Sequence, residues 1–175
     1  MRPCILGVVA PSGAGKTTLL ERVIPVLRTH GLRVAALKHS HHHVELDQPG
    51  KDSFRLRHAG AEATLLASPI GWTLMVDGQD EFATLIDVFT ALQRFDLVLV
   101  EGLRDATIAR LEVYRAALGQ APRFLQDANI IAIAAEGLAE PAPIPVLDLN
   151  NPQAVAEFIL AYIENTRSVT LNTPP

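Results

Sequence analysis

Nine residues, Ala10–Thr18 (APSGAGKTT), bring together glycines, a lysine and two threonines at a spacing that suits phosphate. The phosphate-binding loop of nucleotide-hydrolysing proteins has the pattern G-x-x-x-x-G-K-[ST]. The corresponding residues here are Ala10, Pro11, Ser12, Gly13, Ala14, Gly15, Lys16 and Thr17. Ala10 stands in place of the first glycine. Gly13 and Gly15 remain where the chain must turn tightly around an anion with no Cβ in the way. In such a turn successive backbone N–H groups form a concave nest for phosphate oxygens. The helix that follows adds the partial positive charge of its N-terminus. Lys16 supplies a full charge to the β- and γ-phosphates. The Thr17 hydroxyl is a ligand for Mg²⁺, and Thr18 reaches a further phosphate oxygen.

A metal-dependent phosphate site needs a second oxygen donor at the end of a neighbouring strand. The stretch DLVLVEG supplies Glu101 after an apolar run. Such strands normally end in Asp, which binds Mg²⁺ directly or through water. Glu is one methylene longer. Lys16 and Glu101 are therefore the candidate catalytic groups, and Thr17, Glu101 and Asp47 the candidate metal shell.

His39, His41, His42 and His43 crowd into five residues just before Glu45 and Asp47. In an extended segment His41 and His43 share one side and His42 takes the other. Three readings stay open. The imidazoles bind zinc or nickel with the acids; or the loop contacts phosphate, metal-bound water or an anionic ligand; or it is a solvated polar loop. Lys51, Arg55, Arg57 and His58 follow on one short segment. Positive charge concentrated in an acidic chain suggests a polyanionic ligand, although a solvated charged face explains it equally well.

These groups need elements to hold them. CILGVVA is a continuous apolar run of branched residues, read as a strand buried on both faces. After the glycine-rich turn, Leu19, Leu20, Val23, Ile24 and Leu27 recur at helical spacing, with Gly31 as the stop. Pro25 predicts a kink within that helix. LRVAALK is a second strand. Asp52 or Ser53 is expected to cap a short helix that ends near Gly60. ATLLAS and WTLMV read as a hairpin joined through PIG. Asp80 is expected to cap a helix with Phe82, Leu85, Ile86, Phe89 and Leu92 on one face. DLVLVEG, LEVYR, NIIAIAA and PVLDL are further strands. Asn151 caps a final helix that begins at Pro152, and Val155, Phe158, Ile159, Tyr162 and Ile163 form its stripe.

Alternating strands and helices argue for an α/β fold, a P-loop three-layer sandwich with a mostly parallel sheet. Residues 1–165 are expected to form one domain, and residues 166–175 a flexible tail. The chain has 175 residues, 49% of them hydrophobic, enough to bury a core. Its formal net charge of −4 disfavours nucleic acid as a partner. One cysteine, Cys4, permits no internal disulfide and reads as a core residue. No apolar run is long enough for a bilayer, and the N-terminus lacks the plan of a signal peptide. A soluble cytoplasmic protein is the expectation. SPIGWTLMV is apolar enough for a dimer contact, though core burial explains such a run as well.

APSGAGKTTLL, LKHSHHHVELDQPGKDSFRLRHAGA and DLVLVEGLRDATIARLEVYR together resemble the MobB family of molybdopterin-guanine dinucleotide biosynthesis proteins. The likeness runs from Ile5 to about Arg115, and the middle stretch is its most specific part. The resemblance implies a GTP-binding homodimer with weak hydrolysis of its own. It would assist the guanylyltransferase MobA, which joins GMP to molybdopterin carrying molybdenum. Carried over by position, the nucleotide site covers Ser12, Gly13, Ala14, Gly15, Lys16, Thr17 and Thr18, with GTP and Mg²⁺ as cofactors. The family's histidine loop falls on Lys38–Asp52. His39, His41, His42, Lys51 and Arg55 are then candidates for molybdopterin or phosphate. Leu103 and Arg104 depart from the family's Phe-Lys. The guanine reader is also altered: many GTPases carry N-K-x-D after a late strand, whereas Ala134, Ala135 and Glu136 stand there here, leaving Glu136 as the candidate. Two other readings use the same loop. One is a metal-delivery GTPase loaded through the histidines, and the other is a small-molecule kinase, for which no arginine-rich lid is evident.

Overall fold

A computed structural model describes residues 2–40, 47–77, 82–102 and 106–172, with side chains as far as Ser168. The chain forms two compact units, Met1–His39 with Ile86–Pro175, and Ser40–Leu85. The first unit carries a six-stranded sheet in the order β2-β5-β1-β6-β7-β8. Its strands are β1 (Cys4–Val9), β2 (Val34–Lys38), β5 (Leu97–Glu101), β6 (Arg110–Arg115), β7 (Ile130–Glu136) and β8 (Val146–Asp148). Every pairing between neighbours is parallel. The fold class is thus α/β, with the parallel sheet the alternation predicted.

The burial pattern follows the sequence pattern. Leu97, Val98, Leu99 and Val100 of β5 are buried without alternation, as a strand covered on both faces requires. By contrast β2 alternates, burying Ala35 and Leu37 only. Helix α1 (Lys16–Thr29) turns Leu19, Leu20, Val23 and Leu27 inward. It packs against α4 (Pro152–Asn172), which contributes Val155, Ala156, Ile159 and Ile163 to the same core. Each of the leucine, isoleucine and valine side chains stabilises by roughly 1.5–3 kcal/mol relative to exposure. The Tyr162 hydroxyl donates to the Ile5 carbonyl at 3.3 Å, tying α4 to β1.

Helix ends are where the structure refines the sequence expectations. Gly31 stops α1 in a left-handed conformation, φ +81°, its N–H donating to the Arg28 carbonyl. The helix continues through Pro25, which leaves the Glu21 carbonyl without its helical donor at an exposed position. Asn151 caps α4 as expected, accepting the Ala154 N–H at 3.1 Å. That helix continues past Thr166 to Asn172, with the Thr166 hydroxyl donating to the Tyr162 carbonyl at 2.8 Å. Residues 173–175 lie outside the described residues, as does Asp80, the expected cap of α3 (Phe82–Ala91).

In the second unit, α2 (Asp52–His58) is preceded by Lys51 in an extended conformation and has no side-chain cap. Asp52 and Ser53 sit inside its first turn. The Ser53 hydroxyl donates to Asp47 at 3.0 Å. Strands β3 (Ala63–Ser68) and β4 (Gly71–Val76) form an antiparallel hairpin, a sheet of its own. Thr64 faces Met75, both buried. The opposite face, with Leu65, Trp72, Leu74 and Val76, is exposed.

The rim at the amino ends of the strands is held by Asp96. It accepts the Arg33 N–H at 2.9 Å and the Arg33 Nε at 3.0 Å, and Arg167 of α4 reaches it at 3.3 Å. The hydrogen bond from Arg33 holds the Asp96 carboxyl below its ordinary range, against the opposing effect of burial. A carboxylate with a depressed folded-state pKa adds stability above its unfolded value of about 3.9, and that stability is lost as pH falls through the folded value. Asp96→Asn should therefore flatten the acid limb of the unfolding free energy below about pH 3.9 and leave its slope at neutral pH unchanged. Urea unfolding across that range is the measurement. An acid limb as steep as in the unsubstituted protein would contradict the assignment.

Candidate functional site

β1 runs out at Val9, and Ala10, almost fully buried, opens the turn that leads to α1. Gly13 and Gly15 have φ of +79° and +94°, a region that costs other L-residues roughly 1–2 kcal/mol. Among the described residues Gln93 is the non-glycine with positive φ, so Ala10 lies outside that region. This is the physical reason its Cβ is accommodated where the pattern has glycine. Gly15 immediately precedes the helix, and the first helical bond runs from the Leu19 N–H to the Gly15 carbonyl. The N–H groups of Lys16, Thr17 and Thr18 therefore stand outside the helical ladder. The Lys16 ammonium donates to the carbonyls of Ala10 and Pro11, each at 3.2 Å, and so crosses the loop.

Glu101 is the register partner of Val8 in β1 and of Lys38 in β2. Its two carboxylate oxygens lie 3.1 and 3.0 Å from the Thr17 hydroxyl, which shares one proton between them. Lys38 Nζ is 3.9 Å away. A hydroxyl oxygen beside a carboxylate is the hard donor set that Mg²⁺ prefers. The next residue, Gly102, has φ +95°, and a Cβ there would lie 2.6 Å from the His39 carbonyl oxygen. In return the His39 N–H donates to the Glu101 carbonyl at 2.8 Å. The chain leaving β2 is thereby held close beside the chain leaving β5, next to Glu101.

One contributor is absent from the sequence expectations. Arg115, the last residue of β6, donates from Nε to the Ala14 carbonyl at 3.1 Å. Its Nη1 is paired with Glu136, its register partner on β7. The other oxygen of Glu136 accepts from Asn150 Nδ2 at 3.3 Å. Both oxygens of the candidate guanine reader are thus engaged within the chain. A basic residue ending an apolar strand was the available signal for Arg115, but its partner lies far away in sequence.

The remaining candidates fall elsewhere. Asp47, Lys51 and Arg55 belong to the second unit. Asp47 accepts the Gln48 N–H and the Ser53 hydroxyl, which stabilises the turn before α2. Arg55 pairs with Asp52 at 3.6 Å on the surface, and Arg57 with Asp77 at 3.0 Å. His58 stacks on Phe54, with ring centroids 3.8 Å apart. His41 and His42 lie outside the described residues, together with His43, Glu45, Leu103 and Arg104. Among the described residues no group of three or more His, Cys, Asp or Glu side chains is arranged to hold a metal ion. None of the described helices is long and apolar enough to cross a membrane.

Comparisons with known proteins place this geometry in context. The family model described as MobB, molybdopterin guanine dinucleotide synthesis protein B, matches residues 5–136. The molybdopterin-guanine dinucleotide biosynthesis adapter protein of Escherichia coli (strain K12) is 36% identical over 164 residues, which is 91% of this chain and 93% of that protein. The Haemophilus influenzae adapter protein is 35% identical, covering 92% of this chain and 90% of its own length. Among solved structures, the crystal structure of Bacillus subtilis MobB superposes with a TM-score of 0.73 at 27% identity, over 90% of this chain and 96% of that one.

Gly102 gives a test of how the site is built. Gly102→Ala forces a Cβ against backbone at a left-handed φ, and neither can yield cheaply. The variant should lose roughly 2–4 kcal/mol of unfolding free energy, read by urea denaturation. A loss below about 0.5 kcal/mol would mean that the approach of His39 to Gly102 is not as tight as it stands here.

Proposed function

The chain belongs to the MobB family, and we propose that within it this protein is a GTP-binding adapter in the synthesis of molybdopterin guanine dinucleotide. In this reading the turn Ser12–Thr18 grips the triphosphate. The partner is a guanylyltransferase of the MobA type, and the second ligand is the anionic molybdopterin. The carrying observation is the pairing of a left-handed Gly13/Gly15 turn, crossed by the Lys16 ammonium, with the Thr17–Glu101 contact.

The residues suit the roles. The Lys16 ammonium spans the loop by donating to its carbonyls at 3.2 Å, and a triphosphate there would offer it charged acceptors, whose bonds are about twice as strong as neutral ones. Thr17 and Glu101 would hold Mg²⁺, which neutralises phosphate charge when bound. Glu101, beside a hydroxyl and 3.9 Å from an ammonium, suits a metal-holding role better than that of a general base. Weak intrinsic hydrolysis is the expectation, because no glutamine or arginine is assigned to orient the attacking water. Arg55, in an exposed ion pair worth at most about 1 kcal/mol, can leave Asp52 for an anionic pterin at little expense, and Lys51 stands beside it.

The hairpin supports a homodimer. Leu65, Trp72, Leu74 and Val76 share one face, and they are 60, 49, 43 and 66% exposed. A two-stranded sheet with an uncovered apolar face is marginal alone, and a self-complementary patch about a two-fold axis covers it with identical residues. In this reading the protein works in the cytoplasm.

Two measurements test these statements. Lys16→Ala should weaken GTP binding in the presence of Mg²⁺ by at least about tenfold in isothermal titration, with an unchanged far-ultraviolet spectrum. Equal affinity would remove the lysine from the site. Trp72→Asp should convert a dimer into a monomer in sedimentation velocity at micromolar concentration. A dimer that persists would move the interface off the hairpin.

A further inference from the structure

We propose that Arg115 is a positioning residue of the phosphate loop, and that Glu136 acts through it and is not a reader of guanine. The proposal rests on the loop's being a nucleotide site, and it adds how the loop is kept in shape.

The physical problem is local. Ala14 lies between two glycines of positive φ, so the peptide that joins Ala14 to Gly15 has little steric resistance to rotating as a unit. That peptide is planar and trans, so its C=O and its N–H point in opposite directions. Whatever holds the Ala14 carbonyl therefore aims the Gly15 N–H the other way. A flipped peptide would turn a carbonyl oxygen toward a phosphate, which repels it.

Arg115 supplies that hold. Its Nε donates to the Ala14 carbonyl at 3.1 Å. Its Nε and Nη2 both lie 3.8 Å from the position a Cβ on Gly15 would take, so the guanidinium packs against the open side of that glycine. The far side of the guanidinium is anchored by Glu136. Glu136 is held in turn by Asn150, whose own carbonyl accepts from Arg22 Nη2 at 2.9 Å. Arg22 belongs to α1, the helix that the phosphate loop begins. The polar connection thus closes on itself: loop, β6, β7, the turn before α4, α1 and back to the loop. A planar guanidinium with donors on two sides can hold a carbonyl and a carboxylate at once, whereas an ammonium lacks that fixed fork. The engagement of both Glu136 oxygens is accounted for in the same way.

The experiment compares two probes, GTP and inorganic tripolyphosphate, which shares the phosphates and lacks the base. Binding to the unsubstituted protein and to Arg115→Met, Arg115→Lys and Glu136→Gln is measured by calorimetry, alongside melting temperatures without ligand. Arg115→Met should weaken both probes by a similar factor of roughly ten. Arg115→Lys should fall between, and Glu136→Gln should weaken both probes in equal proportion. In ¹H–¹⁵N spectra the Gly15 amide should shift on adding tripolyphosphate to the unsubstituted protein, and lose most of that shift in Arg115→Met. Lowered melting with unchanged affinity for both probes would make Arg115 merely structural and overturn the proposal. Loss of GTP affinity in Glu136→Gln with tripolyphosphate retained would restore Glu136 as a base reader, and it too would overturn the proposal. An unsubstituted protein that binds neither probe would instead refute the nucleotide reading itself, and this inference with it.

Discussion

Parallel strands deliver their carboxyl ends to a single edge of the sheet, and that constraint governs the first unit. Ala10 follows β1, His39 follows β2, Glu101 ends β5, Arg115 ends β6 and Glu136 ends β7. Residues scattered over most of the chain are brought to one rim by backbone direction alone, before any side chain is chosen. Open α/β sheets take their ligands at that rim for this reason. The amino-end rim differs in kind. There Asp96, Arg33 and Arg167 make a compact ionic staple that fixes where β2 and β5 begin and ties the C-terminal part of α4 to them. Exposed pairs of that sort contribute about 0–1 kcal/mol each, against roughly 1.5–3 for every buried aliphatic side chain. The core supplies the stability, and the charges supply the register.

Among the described residues two charged side chains, Arg110 and Glu112, are almost fully buried, and both have partners. Glu112 of β6 is almost fully buried, and its carboxylate accepts the N–H groups of Arg123 and Phe124 at 2.6 and 3.0 Å. Burial still pushes its carboxyl above the ordinary range. Arg110, at the other end of β6, is buried with Asp127 and the Ala106 carbonyl as partners. Leaving either charge unpaired inside the fold would cost several kcal/mol. Strand β6 therefore carries three charged side chains with separate tasks. Two satisfy the interior, and the third, Arg115, faces the phosphate loop.

The second unit follows another logic. Its hairpin alternates, so one face meets α2 through Thr64 and Met75 while the other keeps Leu65, Trp72, Leu74 and Val76 in the open. An apolar run in sequence carries no statement of whether it ends in a core or on a surface, because both demand the same residue types. Only the strand register, which puts those four side chains on one side, separates the alternatives.

The glycine spacing foretold a tight left-handed turn at Gly13 and Gly15, since the turn's conformation depends on residues only a few positions apart. The same holds for the strands, for Gly31 as a stop and for Asn151 as a cap, each a property of neighbouring residues. The cap of α2 was misread because the helix already starts at Asp52, which leaves Lys51 at the cap position and Ser53 inside the first turn. Why Ala10 replaces glycine without harm, why Gly102 must be glycine, and that Arg115 reaches Ala14 were not legible. Each depends on a backbone angle or a contact across the sheet, set by how β1, β2, β5, β6 and β7 lie side by side. Local composition determines which elements form and which residues can bind phosphate; the distances among those residues belong to the packed sheet.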